Sequence, residues 1–154
     1  MVEFHKGLYN VKNRSKYKGD PEKVVYRSSW ELKFMNHLDR NINVLEWASE
    51  EFFIPYLSPF PNKQGKRTIK RYFPDFWIKV KEPDGTVKVK IIEIKPASQT
   101  KHPKKSKTGR ATKRYLKEQA TYAVNLSKWH AAEEYCKDNG YEFVIMTEHD
   151  LNLI

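Results

Sequence analysis

A short hairpin signal constrains this chain more than any other feature. Residues 68–81 and 87–95 read as two strands, joined by Glu82-Pro83-Asp84-Gly85-Thr86. Pro83 presets φ at the first turn position, and Gly85 supplies a left-handed residue. A three- or five-residue loop pairs positions whose numbers sum to 168, which sets Asp75 opposite Glu93. A two-residue loop would shift the sum to 169 and turn the two carboxylates to opposite faces. Opposed side chains on one face have Cβ atoms about 5 Å apart, and like charges there are destabilising unless compensated. A divalent cation is the natural compensator. Lys95, two residues beyond Glu93, projects from the same face.

These residue types suit one chemistry. Hard carboxylate oxygens hold Mg²⁺ or Mn²⁺, with the Ile94 carbonyl a further candidate ligand. Such an ion lowers the pKa of a bound water and offsets charge on a phosphate. Lys95 is suited to orienting or deprotonating that water, or to stabilising the developing charge. The bland reading is a surface hairpin with scattered charges, since 31% of the chain is charged. Glu31-Leu32-Lys33 and Pro83-Asp84 repeat parts of the pattern, but the first lies on a helix and the second in the turn.

The rest of the chain frames this hairpin. The spacing predicts a helix from Ser28 to about Arg40, with Glu31, Phe34, Met35, Leu38 and Ile42 along one face. Glu31 then has two competing roles. It is placed as the reciprocal half of a capping box with Ser28, or as a carboxylate reaching the metal site. Residues 45–56 read as a strand and 58–66 as a loop. Helices are expected over 111–125 and 128–138, the second capped by Ser127. Asn139-Gly140 marks a stop, and 141–146 a buried strand. The order is α, β, β, β, α(α), β, a mixed sheet with helices on its faces. One domain is expected over 1–154, with residues 1–19 a basic arm or irregular lead-in.

Composition narrows the partners. A net charge of +10 points to a polyanion, most often nucleic acid. The loop 96–110 and the helix start beyond it carry Lys101, Lys104, Lys105, Lys107, Arg110, Lys113 and Arg114. These suit sequence-independent phosphate contacts; a solvated charge run is the alternative. Lys117 or Gln119, further along that helix, would add a polar group to the site. Tyr115, Tyr122 and Trp129 read as packing residues. The histidines lack zinc-ligand spacing, and no Gly-rich phosphate loop indicates a nucleotide cofactor. With Cys136 the lone cysteine, no intrachain disulfide forms, which suits a reducing compartment. No apolar run of membrane-spanning length and no signal-peptide core is present.

Helix Glu31, then Phe73-Pro74-Asp75-Phe76, then Ile92-Glu93-Ile94-Lys95 resembles the PD-(D/E)xK nuclease superfamily. Its fold would be a restriction-endonuclease-like αβββαβ core, a mixed central sheet flanked by helices. Tyr26 to Glu31, Glu46 to Glu51, Ile54-Pro55-Tyr56 and Tyr72 to Phe76 further resemble the head completion nucleases of T-even-type tailed phages. The segment after Lys95 is similar to transposon-end nucleases as well. The resemblance implies a Mg²⁺- or Mn²⁺-dependent endonuclease, with exonuclease action in addition, whose catalytic set is Glu31, Asp75, Glu93 and Lys95. Its substrate would be double-stranded DNA, and its partners phage head or portal and neck proteins. It would work in the host cytoplasm during assembly, or remain as a minor virion component. The rival readings are a non-catalytic DNA-binding or head–neck protein, and a nuclease of transposition or repair. Nothing in the sequence signals an oligomeric state.

Overall fold

The computed structural model describes residues 6–105 and 107–154. A four-stranded mixed sheet in the order β3-β6-β7-β8 forms its centre, from Val44–Ser49, Phe76–Lys81, Val87–Ile94 and Glu142–Met146. The first three strands are antiparallel neighbours; β8 lies parallel to β7 at the edge. β8 is therefore half-buried, not the fully buried strand that its apolar run suggests.

The hairpin has the expected register. Phe76 pairs with Ile92 and Lys81 with Val87, both sums of 168. Gly85 takes φ +86°, and the Glu82 amide donates to the Thr86 carbonyl at 2.8 Å. Asp84 Oδ1 accepts from the Thr86 amide and hydroxyl at 2.9 and 2.6 Å.

Two expected strands are each broken in two. The span 45–56 divides into β3 and β4 (Ile54–Leu57), and 68–81 into β5 (Ile69–Tyr72) and β6. Glu50 adopts φ +50°, which ends β3, and buried Pro74 interrupts the second run by removing a ladder donor. The freed pieces pair as a separate ribbon, β4 against β5.

The sheet carries a helix layer on each face. Helix α1 (Ser29–Arg40) buries Phe34, Met35 and Leu38 against Phe76, Ile78 and Ile92. Ile42 lies beyond its end and is 89% exposed, so the apolar stripe stops at Leu38. On the other face, α2 (Lys113–Asn139) packs Trp129 and Ala132 on Ile54, Tyr56 and Tyr72 of the ribbon and on Phe143 and Ile145 of β8. α2 is one helix in place of the two expected. No glycine or proline interrupts it, so Ser127 is an interior residue and the cap is Thr112, whose hydroxyl accepts from the Tyr115 amide. Gly140, at φ +71°, stops it. A short helix, α3 (Glu148–Leu151), closes against α1.

The segment 6–19 is irregular as expected, but it is clamped to the body and is no free arm. Short strands β1 (Gly7–Leu8) and β2 (Val25–Tyr26) pair, and Tyr9, Val11 and Tyr17 are buried in the α1-side core. Residues 1–5 of the expected arm lie outside the described residues. Among the described residues, no helix is long and apolar enough to cross a membrane.

Candidate active site

Three backbone interruptions meet at one end of the sheet: the Pro74 break before β6, the end of β7, and the first turn of α1. Their side chains line a cavity of about 340 Å³, which holds Glu31, Asp75, Glu93 and Lys95 together with Ser28, Trp30, Ile94 and Gln99.

Glu93 alternates with Ile92 and Ile94, which pack on the α1 side, so its carboxylate faces the ribbon. There Oε2 accepts from the Tyr72 hydroxyl at 2.7 Å, and Oε1 lies 3.6 Å from Lys95 Nζ. Asp75 sits one residue before the first pair of the hairpin, and its Oδ2 accepts from the Ile94 amide at 2.7 Å. Its backbone is held by the Glu50 amide, which donates to its carbonyl at 3.2 Å. Lys95 is fixed in turn by its own amide, which donates to the Met146 carbonyl at 2.9 Å.

Glu31 forms only half of the expected capping box, since its carboxylate meets the Ser28 hydroxyl and not the Ser28 amide. Its amide donates to Ser28 Oγ at 3.1 Å, the N-cap bond. The Ser28 hydroxyl then reaches its Oε2 at 3.4 Å, and the carboxylate remains on the cavity wall. It enters over the end of the sheet, from the opposite layer to Glu93.

The electrostatics are those of an acidic cluster short of cations. Burial raises the Asp75 carboxyl well above its ordinary range, and the Glu93 charge adds to the rise; the Ile94 amide and Lys95 only partly offset them. Burial likewise raises Glu31, against the pull of the Arg27 charge and the Ser28 hydroxyl. Burial first, and then the Glu93 charge, drives the Tyr72 phenol far above its ordinary value, so it remains a donor to Glu93. Among the described residues, no three His, Cys, Asp or Glu side chains converge as a ready-made metal cage. Two carboxylates beside an open cavity fit Mg²⁺ or Mn²⁺ instead, which keep several waters and take few protein ligands. The mutual repulsion that raises Asp75 is what such an ion would relieve.

Lys101, Lys104, Lys105, Lys107 and Arg110 are exposed along the loop, and Lys113 and Arg114 on the first turn of α2. A second cavity of about 450 Å³ lies between loop and helix, lined in part by Lys101, Arg114, Lys117 and Asn125. It shares Gln99 with the acidic cavity, which joins the two. Of the two helix candidates, Lys117 lines this neighbouring groove. Gln119 donates to the Tyr115 hydroxyl at 2.8 Å, and neither lines the acidic cavity. Trp30, Gln99 and Tyr72 went unrecognised in the sequence. Strand parity would set Tyr72 on the face of Phe76, away from Glu93, and only the break at Pro74 turns it to the ribbon layer.

A mixed sheet bearing Asp and Glu-x-Lys on adjacent strand ends is the architecture of restriction-endonuclease-like nucleases. Residues 41–148 match the family described as TnsA-like endonuclease N terminal, and the chain belongs to that family. It is also 41% identical, over 152 residues, to the head completion nuclease of Enterobacteria phage T4, a match that covers 97% of this chain and 95% of that one.

Proposed function

We propose that this protein is a Mg²⁺- or Mn²⁺-dependent DNA endonuclease that cuts packaged phage DNA during head completion. The observation that carries the reading is the meeting of Asp75, Glu93 and Lys95 in one cavity beside a cationic loop. The near-complete overlap with a head completion nuclease supports the setting. It favours head completion over transposition or repair, to which the TnsA-like match alone would extend.

Asp75 and Glu93, with the Ile94 carbonyl, would hold the ion, and Glu31 would reach it directly or through a water. When bound, the ion activates a water and offsets charge on the scissile phosphate. Tyr72 holds one oxygen of Glu93 in place, and the Ile94 amide holds one oxygen of Asp75, so the carboxylates are oriented before substrate arrives. Lys95 Nζ, within reach of Glu93, steers the attacking water or stabilises the phosphorane charge. Lys101, Lys104, Lys105, Lys107, Arg110, Lys113 and Arg114 would seat the duplex through its phosphates. Head or portal and neck proteins would bring the enzyme to its substrate in the infected cell.

A supercoiled-plasmid nicking assay tests the proposal. Wild type should nick with Mg²⁺ or Mn²⁺ and not with EDTA, whereas Asp75→Ala and Lys95→Ala should be inactive. An intact plasmid across salt and pH would leave a DNA-binding or head–neck role instead.

A further inference from the structure

The ribbon β4–β5 has a second face that the fold does not use. Ile54, Tyr56 and Tyr72 turn inward onto the α2 layer. The alternate positions face away: Leu57 pairs with Ile69, Pro55 with Arg71, and one step further Phe53 lies beside Phe73. The two rings are 5.8 Å apart, and the Arg71 guanidinium lies 4.8 Å from the Phe53 ring centroid. Phe53 and Phe73 remain 43% and 45% exposed, and Ile69 67%. A contiguous apolar strip on a surface marks a binding face.

Charge and position identify the occupant. From Phe52 to Pro74 the chain carries Lys63, Lys66, Arg67, Lys70 and Arg71, and no acidic residue. Protein interfaces are depleted in lysine at their centres, whereas aromatic rings among cations are the surface that single-stranded nucleic acid requires. Phe73 is two residues from Asp75, a Cα separation of no more than about 7 Å. At about 3.4 Å of rise per nucleotide, its ring lies within a few nucleotides of a phosphate at the site. In an intact duplex the base faces are already stacked on one another. Rings so near the cavity therefore gain a contact only where bases are unpaired.

We propose that the Phe53–Phe73 pair, backed by Arg71, takes the unstacked bases of single-stranded DNA flanking the scissile phosphate. The surface makes frayed ends, flaps and gaps better substrates than intact duplex. This substrate class rests on the nuclease reading of the neighbouring cavity, but the binding it requires does not depend on cleavage.

The test measures binding in EDTA by fluorescence anisotropy, with a labelled oligothymidylate and a blunt duplex of equal length. Phe73→Ala and Phe53→Ala should each weaken single-strand binding about tenfold, the loss of one base–aromatic stack, and change duplex binding less than about twofold. Phe73→Trp should retain single-strand affinity. Phe73→Leu, which keeps apolar volume without a ring face, should lose it while the circular-dichroism melt stays that of wild type. Equal losses on both DNAs, or none on either, would overturn the proposal. So would a wild-type dimer that Phe73→Ala dissociates with DNA binding unchanged, since the strip would then join two copies. Wild type that binds single strands selectively yet nicks nothing would remove the nuclease reading and leave this surface standing.

Discussion

Two carboxylates at opposite ends of α1, Asp39 buried and Asp75 half-buried, have contrasting surroundings. Asp39, fully buried near its C-terminal end, accepts from the Tyr9 hydroxyl and from the Lys12 and Asn13 amides at 2.8, 2.7 and 3.0 Å. Burial alone would raise its pKa, but these donors outweigh it and hold the carboxyl below its ordinary range. Lys16 Nζ adds three bonds to the carbonyls of residues 38, 39 and 41. Asp75, at the other end, has one amide donor and faces Glu93 and Glu31, and its pKa is raised. A fully satisfied carboxylate clamps the fold; an under-satisfied one is a stored demand for a cation. On the proposed reading, counting donors separates the acid that serves stability from the acid that serves the site.

The sharpest way to test that contrast is to neutralise each acid. Asp75→Asn should lower nicking by about a thousandfold or more and raise the thermal midpoint of the metal-free protein, because a repelled charge is removed. It should also abolish stabilisation by divalent ions. Wild type with ion at about a hundred times its Kd should gain about 2.7 kcal/mol, a shift of roughly 5–10 °C for a chain of this size. Calorimetry with and without Mn²⁺ measures both. A midpoint that falls in Asp75→Asn would mean that Asp75 is structural.

Asp39→Ala should do the reverse. It leaves two amides and a phenol without an acceptor in the core, a loss of about 4 kcal/mol, or roughly 10 °C in midpoint. Nicking per folded molecule should be unchanged below the transition. Urea unfolding read by tryptophan fluorescence gives the loss; a change below about 1 kcal/mol would show that the N-terminal segment is not held by Asp39.

These two acids also differ in how legible they are. Asp75 and Glu93 were visible because a turn fixes register, and a register of period two fixes the face. Gly85 and Pro83 carry that information locally. Asp39 was invisible because its partners at 9, 12 and 13 lie across an irregular segment, whose docking depends on tertiary contacts alone. The same limit explains the strand errors. Residues 45–56 and 68–81 each look like one long run, and only the left-handed Glu50 and the buried Pro74 split them. Ser127 suggested a helix start for want of context: a serine caps only where the helix actually begins, and nothing between 113 and 139 breaks it. Spacing leaves Glu31 between two roles; the structure supplies the Ser28 cap to its amide but no return bond to the Ser28 amide, and leaves its carboxylate free to line the cavity.

Tyr72→Phe should have an intermediate effect. The ring stays in the ribbon core, but Glu93 Oε2 loses its 2.7 Å donor. Removing such a supporting bond costs a carboxylate ligand about tenfold or more in metal affinity, with a stability change of about 1 kcal/mol. Isothermal titration of Mn²⁺ reads the first and chemical unfolding the second. Unchanged Mn²⁺ affinity would show that Glu93 needs no orientation from the ribbon.

The smallest expected effect is on the pH dependence of stability, where the two acids act with opposite sign. Asp75 binds its proton more tightly in the folded state than when unfolded, so folding takes up a proton as pH falls. Its contribution to stability therefore improves from neutral pH downward, and saturates once the unfolded carboxyl, near 3.9, is protonated as well. Asp39 has a folded pKa below its ordinary value, so its contribution is full above about pH 4 and is lost as pH falls through the folded pKa. The wild-type-minus-Asp75→Asn difference, measured without metal, should thus become less unfavourable from pH 7 to pH 4. The wild-type-minus-Asp39→Asn difference should stay flat over that range and shrink only below it. Taking differences cancels the opposing slope of His37, whose pKa is lowered first by burial and then by Lys16. Saturating Mg²⁺ should erase the first slope near neutral pH and leave the second untouched, because only the acid with a single donor can pass its proton demand to a cation.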